Sequence, residues 1–398
     1  MKSYMKMNLT KNTFIFIINY KILINIVLII ITLSEDIRVN MFNRLIYHMM
    51  FGNFLLEKGN NFLKKTISGV DLYEEELKKE NEVLIEAAKK LNITVIDHGS
   101  GMLEFRHGGK QTFIKGNATE IESAISHKIA GDKFLVSQIL SEHKLPVAKS
   151  AYFTLEQFDE AKEYFHQSKK PVVIKPRRGT SGGVGITARV TSLRQFRESF
   201  YLATFYDKYV MVEEFIEGEN IRMLILNDQL LSAVRRVPAY VIGDGKSSIR
   251  QLIKITNRER VNSKAFPKLW PITINTDFYN TLKEQKLTLG YIPEKNQRIY
   301  VKTVCNGHQG GIVEEVTRTV HPDFISMSIK SLKYCRVAFG GVDLITGDIS
   351  KPFKKTWGII NEINTTPSFY GHYQASNQSD VEDAAGKFLK LVLNISDH

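Results

Sequence analysis

Cysteine is nearly absent. Cys305 and Cys335 are the only two in 398 residues, which excludes a disulfide framework. A single pair in so large a chain fits a reducing compartment, with both thiols simply buried. Glycine (26) and proline (10) stand at ordinary levels, so the chain is neither collagen-like nor low-complexity. No repeat of fixed period is present, which argues against a solenoid or propeller. Long blocks of one charge are missing as well. Lys and Arg outnumber Asp and Glu 54 to 42, for a net charge of +12 and a pI of about 9.3. A basic surface suits nucleic acid, membrane or an anionic small molecule. The cations are spread and no nucleic-acid motif is readable, so nucleic acid is not expected. What is present is a 43% apolar and 24% charged chain, enough for two or three domains with a sizeable core.

Strands and helices mix throughout. Asp71 to Leu91 has a helical stripe of Leu77, Leu84, Ala88 and Leu91. "ITVIDHG" reads as a strand, and "MLEFRHGGKQTFIKG" as two strands joined at His107-Gly108-Gly109. Thr119 to Lys144 reads as two short helices. A strand at Ala151 to Phe153 comes next, then a helix from Thr154, a natural N-cap, to Phe165. Beyond the strand "VVIK" comes a helix near Ser192 to Ala203, and "YVMVEEFIEG" is a buried strand. "NIRMLILNDQLLSAVRRVPAYVIGDG" reads as a β-meander with turns at Asn227-Asp228 and Gly243-Asp244-Gly245. Arg258 to Lys302 is less regular, with loops around one helix. "GGVDLITGDI" and "WGIINEINTTP" are two strands with a polar hairpin between them, and Asp380 to Leu393 is helical.

Three stretches carry chemistry. In "VVIKPRRGTSGGVGIT", Lys175 ends an apolar strand at a fixed position. The glycines after it let backbone N–H groups approach phosphates without a Cβ in the way, although a tight surface turn explains the pattern equally well. Glu362 and Asn364, two apart on a strand, point to one face. With Asp343 from the strand "GGVDLI" they offer oxygen ligands for a hard cation such as Mg²⁺, against the plainer reading of Asp343 as a strand-end turn residue. In "VEEFIEGEN" an apolar strand runs into Glu213-Glu214-Phe215-Ile216 and turns at Gly218. It suits either an adenine edge or a solvated acidic turn.

In this order, these features resemble the ATP-grasp ligases, from about Ser126 to Leu391. Within that family the likeness is strongest to the unit shared by cyanophycin synthetase and the bifunctional bacterial glutathione synthetase. "RRVPAYVIGDGKSSIRQLI" and "CNGHQGGIVEEVTRTVHPDF" are similar to subgroup segments. The resemblance implies an α/β (α+β) architecture, the ATP-grasp fold, with nucleotide held between two α+β subdomains. Residues 126–216 would form the lid subdomain and 217–398 the C-terminal subdomain with the metal and substrate site. A smaller pre-ATP-grasp region would occupy 41–125. By position, Lys133 and Lys175 would contact the ATP phosphates beneath a flexible lid of Gly182, Gly183 and Gly185. Glu213, Glu214 and Ile216 would hold the adenine, Ile216 through its backbone. Asp343, Glu362 and Asn364 would bind two Mg²⁺, with Mn²⁺ as the alternative ion. Arg236 would steady the transferred phosphate, and Arg222 would face the active site.

The implied activity is an ATP- and Mg²⁺-dependent ligation. A substrate carboxylate attacks the γ-phosphate to give an acylphosphate, and an amine then displaces phosphate to form an amide, with amino acids or peptides as substrates. Departures from the subgroup touch specificity. Asn220 stands where a ribose-binding carboxylate is expected, with Glu219 adjacent. His308-Gln309 replaces Ser-Thr before Gly310-Gly311, a set expected at the substrate, and "RERVNSKAF" stands in place of "DPRRG". Neither a Mur-ligase-like half nor a glutamate–cysteine ligase half is read in the sequence, so neither product is assumed. A D-alanine–D-alanine-type ligase shares the triad, but "RVPA…GDG" argues against it. A peptide-modifying ligase of the same fold stays open. Asn220 and His308-Gln309 favour a further alternative, a non-catalytic ATP-binding module.

One long hydrophobic run, Thr13 to Leu33 within the segment 1–40, is apolar enough to span a bilayer. It contains Asn19, Lys21 and Asn25, which are costly at mid-membrane. Lys2, Lys6 and Lys11 precede it, and Glu35 and Asp36 come after it. The positive-inside rule would then send the large domain away from ATP. A start at Met41 and a cytoplasmic protein are therefore expected, with membrane tethering only if 13–33 is real. Assembly into a homo-oligomer is left open.

Overall fold

The structure, a computed structural model, describes residues 72–180, 183–262, 269–274, 276–305, 307 and 310–396. Contacts divide the chain into two units, 1–69 and 70–398, and the described residues all belong to the second. The apolar run 13–33 and the Met41 start lie outside the described residues. Among the described residues, no helix is long and apolar enough to cross a membrane.

The second unit opens with helix α1 (Leu72–Lys90) and an antiparallel sheet of β1 (Thr94–Asp97), β2 (Met102–His107), β3 (Lys110–Lys115) and β4 (Ala118–Thr119), in that spatial order. The expected hairpin between β2 and β3 is present. Gly108 and Gly109 sit at φ +54° and +76°, left-handed at both turn positions, the conformation that matches strand twist and that glycine adopts without Cβ cost. Two short helices come next, α2 (Ala124–Ala130) and α3 (Lys133–Glu142). Each begins at a side-chain cap, the Ser123 hydroxyl accepting from Ser126 N–H and the Asp132 carboxylate from Leu135 N–H.

The next sheet is built from β5 (Ser150–Phe153), β6 (Val172–Pro176), β7 (Thr187–Val190) and β8 (Val210–Glu214), ordered β5-β8-β6-β7. Helices α4 (Phe158–Gln167) and α5 (Leu193–Thr204) belong to this subdomain. Phe158 and Phe165 of α4 meet Phe196 of α5, and Phe158 also meets Phe200. The helix expected from Thr154 starts later. Residues Leu155–Gln157 form a 3₁₀ turn, with the Gln157 side chain accepting from Thr154 N–H, and the α-helix begins at Phe158. Strand β7 was not expected; it is the short return strand of the glycine loop.

The central sheet has β9 (Glu219–Leu226), β10 (Gln229–Val237), β13 (Ile312–Glu315), β14 (Phe339–Thr346) and β15 (Gly358–Asn364), in the order β13-β10-β9-β14-β15 with every pairing antiparallel. The expected turn at Asn227-Asp228 joins β9 to β10, with Asn227 at φ +53°. The third strand of the expected meander departs from expectation. Pro238 has no N–H to continue the ladder. Strand β11 (Tyr240–Ile242) leaves the sheet to pair with β12 (Arg298–Tyr300). With α6 (Ile249–Asn262) and α7 (Thr276–Glu284) these strands bury a small separate core around Ile249, Ile253, Phe278, Leu282 and Ile299. Arg258 to Lys302 thus contains the end of α6, the whole of α7 and β12, more order than loops around one helix. Helix α8 (Pro322–Tyr334) precedes β14, and the short α9 (Tyr370–Tyr373) and α10 (Ala384–Leu393) come after β15.

Alternation along the central sheet divides two cores. Ile221, Met223 and Ile225 of β9 face Phe324 and Leu332 of α8 and Leu140 of α3. Leu224 and Leu226 point the other way, toward Leu84 and Ala88 of α1, Phe105 of β2, and Phe388 and Leu389 of α10. That second face also carries Asn220 and Arg222, further along the same strand. One face is therefore apolar core at one end and a polar site at the other.

Candidate active site

Strand register assembles the site. Arg222 of β9 is directly opposite Asp343 of β14, and Asp343 is opposite Glu362 of β15. Beyond this row lies a bulge, since Leu344 pairs with Ile360 and Asn361 is the extra residue. Asn364 lies one row along the same face, opposite Gly341. Arg236 of β10 pairs with Asn220, and across the next strand with Val313. Both Asp343 oxygens are taken by Arg222, Nε to Oδ1 and Nη2 to Oδ2, each at 2.6 Å, and Arg236 Nη1 reaches Oδ2 at 3.2 Å. Burial opposes ionisation of Asp343, but the two guanidinium groups outweigh it and hold its carboxyl below the usual range. Burial likewise opposes charge on Arg222, and the Asp343 carboxylate overcomes it. Arg236 is weaker: burial and repulsion from Arg222 exceed the attraction of Asp343. It is the cation of the pair that lacks full compensation.

Strand β6 and helix α3 supply lysines. Lys175 of β6 and Glu213 of β8 are both buried and paired at 2.6 Å, Nζ to Oε1. Lys133, the first residue of α3, is nearly buried, with its Nζ 3.7 Å from Glu362 Oε1 and 3.4 Å from Thr180 O. Lys133, Glu213, Met211, Asn361 and Glu362 line one cleft between strand β8 and the central strand β15. Two lysines and two arginines thus stand against three carboxylates, an excess of positive charge suited to an anion.

The two arginines after Lys175 have structural partners. The Arg177 Nε donates to both Asp132 oxygens, at 2.7 and 2.9 Å, and its guanidinium lies 4.3 Å from the Tyr152 ring. Arg178 reaches Asp207 and lies over Tyr209. Both therefore fasten the root of the glycine loop. Gly183 and Gly185 are at φ +77° and +74°, and a Cβ on Gly185 would sit 2.8 Å from both Pro176 and Tyr206. Gly182 lies outside the described residues.

The remaining candidates separate. The Glu213 carboxylate is given to Lys175, Glu214 lies 3.6 Å from Lys170, and the N–H groups of Glu214 and Phe215 donate to Lys149 O and Pro171 O. Asn220 is on the site face with a buried Oδ1 that has no partner among the described residues. Its neighbour Glu219 faces away, bound to Arg235 and to Ile349 N–H, and cannot substitute for it. Gly310 is at φ +94° against the Ile272 backbone. Gly310 and Gly311 lead into β13, whose Val313 is opposite Arg236, and Gly310 O accepts from Arg260 at 2.8 Å; His308 lies outside the described residues.

The donor set fits a hard cation. Among the described residues no three His, Cys, Asp or Glu side chains converge, so the set is two carboxylates and an amide. Glu362 has no hydrogen-bond partner among the described residues; Lys133 is 3.7 Å away, and the charges of Arg222 and Arg236 also act on it. Asp343 keeps one lone-pair site beyond its three donors. Asn364 has a buried terminal amide atom without a partner among the described residues; turned end for end, the near-isosteric group places an oxygen there. Sequence reasoning missed three neighbours of this site. Ser232, on the face of β10 that carries Arg236, and His372 are hydrogen-bonded at 2.8 Å, and Glu80 of α1 accepts from the backbone of Phe369 and Tyr370. None of the three belongs to a motif; only the fold brings them in.

Residues 139–247 match the family described as D-ala D-ala ligase C-terminus. The chain is 30% identical over 279 residues to a cyanophycin synthetase of Synechocystis sp., covering 69% of this chain and 32% of that protein. It is 28% identical over 356 residues to the glutathione biosynthesis bifunctional protein of Clostridium perfringens, covering 87% and 44%. A bifunctional glutathione synthetase from Pasteurella multocida is similar in structure, with TM-score 0.55 and 26% identity over 79% of this chain and 43% of that one. The chain spans between about a third and a half of the length of these relatives.

Proposed function

We propose that this chain, which has the ATP-grasp fold and belongs to that family, joins a carboxylate to an amine at the expense of ATP. The observation that supports the reading is the Arg222–Asp343–Glu362 row facing Lys133 across the cleft, with Arg236 incompletely neutralised beside it. No nucleophilic Ser or Cys is part of this set. Its cations and carboxylates suit charge neutralisation in phosphoryl transfer, where the protein's share is positioning and electrostatics.

In this reading Lys133 and Lys175 bind the ATP phosphates, and Gly183 and Gly185 let the loop backbone close over them. The Glu213–Ile216 backbone meets the adenine and Asn220 the ribose. Asp343, Glu362 and Asn364 would hold Mg²⁺, two ions by the same reading, which would supply positive charge against that of the phosphates. Arg236 neutralises the γ-phosphate as the substrate carboxylate attacks it, and Arg222 fixes Asp343 through its two-point contact. Closure of the glycine loop keeps water from the acylphosphate until an amine arrives. The substrates proposed are amino acids or small peptides.

The test is phosphate release from Mg-ATP in the presence of amino-acid and dipeptide mixtures. Release that depends on one carboxylate and one amine, and disappears in Asp343→Asn, is the expected result. Nucleotide binding without release under any mixture would leave a binding module instead.

A further inference from the structure

Further along the same face of β10 as Arg236 lies a buried polar chain to which the ligase reading gives no role. Glu315 of β13, Ser232 of β10 and His372 of α9 are all buried. The Ser232 hydroxyl donates to Glu315 Oε2 at 3.2 Å and lies 2.8 Å from His372 Nδ1. Glu315 is itself held by Thr317, whose N–H donates to Oε1 at 2.8 Å. With its one proton committed to a carboxylate, the Ser232 oxygen must accept from His372 Nδ1–H. Burial first, and then the charges of Arg222 and Arg236, push the imidazole well below its usual pKa despite the counter-effect of Asp343. The ring is neutral, and Nε2 carries a lone pair.

That Nε2 is buried and has no hydrogen-bond partner among the described residues, a costly state unless something pairs with it. The ring lies within the fields of Arg222, Arg236 and Asp343, on the face of β10 that carries Ser232 and Arg236. Its position is fixed. Glu80 accepts from Phe369 and Tyr370 N–H at 3.0 and 3.1 Å, and Ser376 N–H donates to Val313 O at 2.8 Å on the other side. A lone pair there cannot pair with a phosphate or carboxylate oxygen; it requires a donor. We infer that His372 is a substrate-contacting residue whose Nε2 accepts an N–H of the incoming amine and sets its direction of attack. The amine is taken in its neutral form, since the adjoining guanidinium groups disfavour a second cation. This rests on the ligase reading for the identity of the donor, but not for the state of the ring.

The test has two arms on the full chain. In the first, ¹⁵N-histidine spectra, with the His372 signal assigned from its loss in His372→Gln, report the tautomer. A proton on Nδ1 is expected, with a shift at Nε2 when the twenty L-amino acids and their glycyl dipeptides are added to protein holding a non-hydrolysable ATP analogue. In the second, phosphate release with the same panel is measured. His372→Ala should raise the KM for the amine roughly tenfold, the scale of one lost buried hydrogen bond, and leave the KM for ATP alone. His372→Gln, which restores an acceptor oxygen, should recover much of that loss. A proton on Nε2 overturns the inference, as do equal Tm losses in both variants with an unchanged amine KM. If the wild type releases no phosphate, the ligase reading falls on its own. The ¹⁵N arm then decides: a panel-induced shift at His372 supports the contact, and no shift with any member overturns it.

Discussion

Arg222 and Asp343 face each other across β9 and β14 in a two-point ion pair, both contacts at 2.6 Å, with the carboxylate buried. Removing one partner of such a pair strands the other, at a cost of about 3–5 kcal/mol. Asp343→Asn is expected to lose phosphate release and also to lower Tm measurably. Arg222→Lys keeps the charge but not the two-point geometry. It should retain more of the Tm than Asp343→Asn while still losing roughly tenfold or more in turnover, because Asp343 is no longer held in one orientation. Turnover of the two variants beside their melting curves checks this; full activity in Asp343→Asn would sink the assignment.

Lys175 and Glu213 form the second buried pair, 2.6 Å apart on the adjacent strands β6 and β8. If Lys175 meets phosphate, Glu213 is what holds the lysine in place beforehand. Glu213→Gln removes the carboxylate and leaves a buried ammonium with an amide for a partner. ATP affinity, measured by calorimetry, should fall about tenfold, the scale of one charge-assisted hydrogen bond. Lys175→Met should fall further, since it removes the phosphate contact itself. Equal ATP affinity in Lys175→Met and wild type would refute the phosphate role.

Glu80 ties α1 to the segment just past β15. Its carboxylate accepts from Phe369 and Tyr370 N–H and from the Ser368 hydroxyl. Glu80→Ala leaves those buried donors unpaired and should cost about 1–3 kcal/mol in chemical denaturation. Because α9 starts at Tyr370, the same variant should also loosen His372 and raise the KM for the amine more than that for ATP. An effect confined to stability would show that the 368–373 segment holds its shape without α1.

The legible part of this molecule was the part set by local rules. Gly108-Gly109 announces a two-residue hairpin because both positions are left-handed. Glu362 and Asn364 announce a shared face because strands alternate. Ser192 marks a helix start, and in the fold its hydroxyl accepts from Gln195 N–H. What the sequence hid depends on distant chain segments. Pro238 stops β10, but nothing local says that β11 will pair with a strand almost sixty residues later. Asp343 reads as a metal ligand, yet its two arginine partners lie more than a hundred residues away in sequence. Ser232 and His372, separated by 140 positions, carry no motif. Nothing in the stretch around Arg177 and Arg178 names their partners, and only the positions of Asp132 and Asp207 show what they bind.

Asp132 offers a pH test of that fastening. Burial pushes its carboxyl up, but the Arg177 hydrogen bond, the Leu135 N–H and the nearby arginine charges outweigh it and hold the group below its ordinary value. A carboxyl with a lowered folded pKa binds protons more readily when unfolded, so its contribution to stability is complete above the unfolded pKa. That contribution is lost as pH falls through the folded pKa. Asp132→Asn removes the linkage. Wild type should lose more stability than Asp132→Asn as pH falls from about 5 to below the ordinary carboxyl range near 4, and the two Tm curves should converge at the acid end. Asp132→Asn should also weaken ATP binding, because Asp132 caps the helix that begins at Lys133 and holds Arg177 at the root of the glycine loop. Parallel Tm curves across the whole range would mean that the Asp132–Arg177 contact contributes nothing to the folded state.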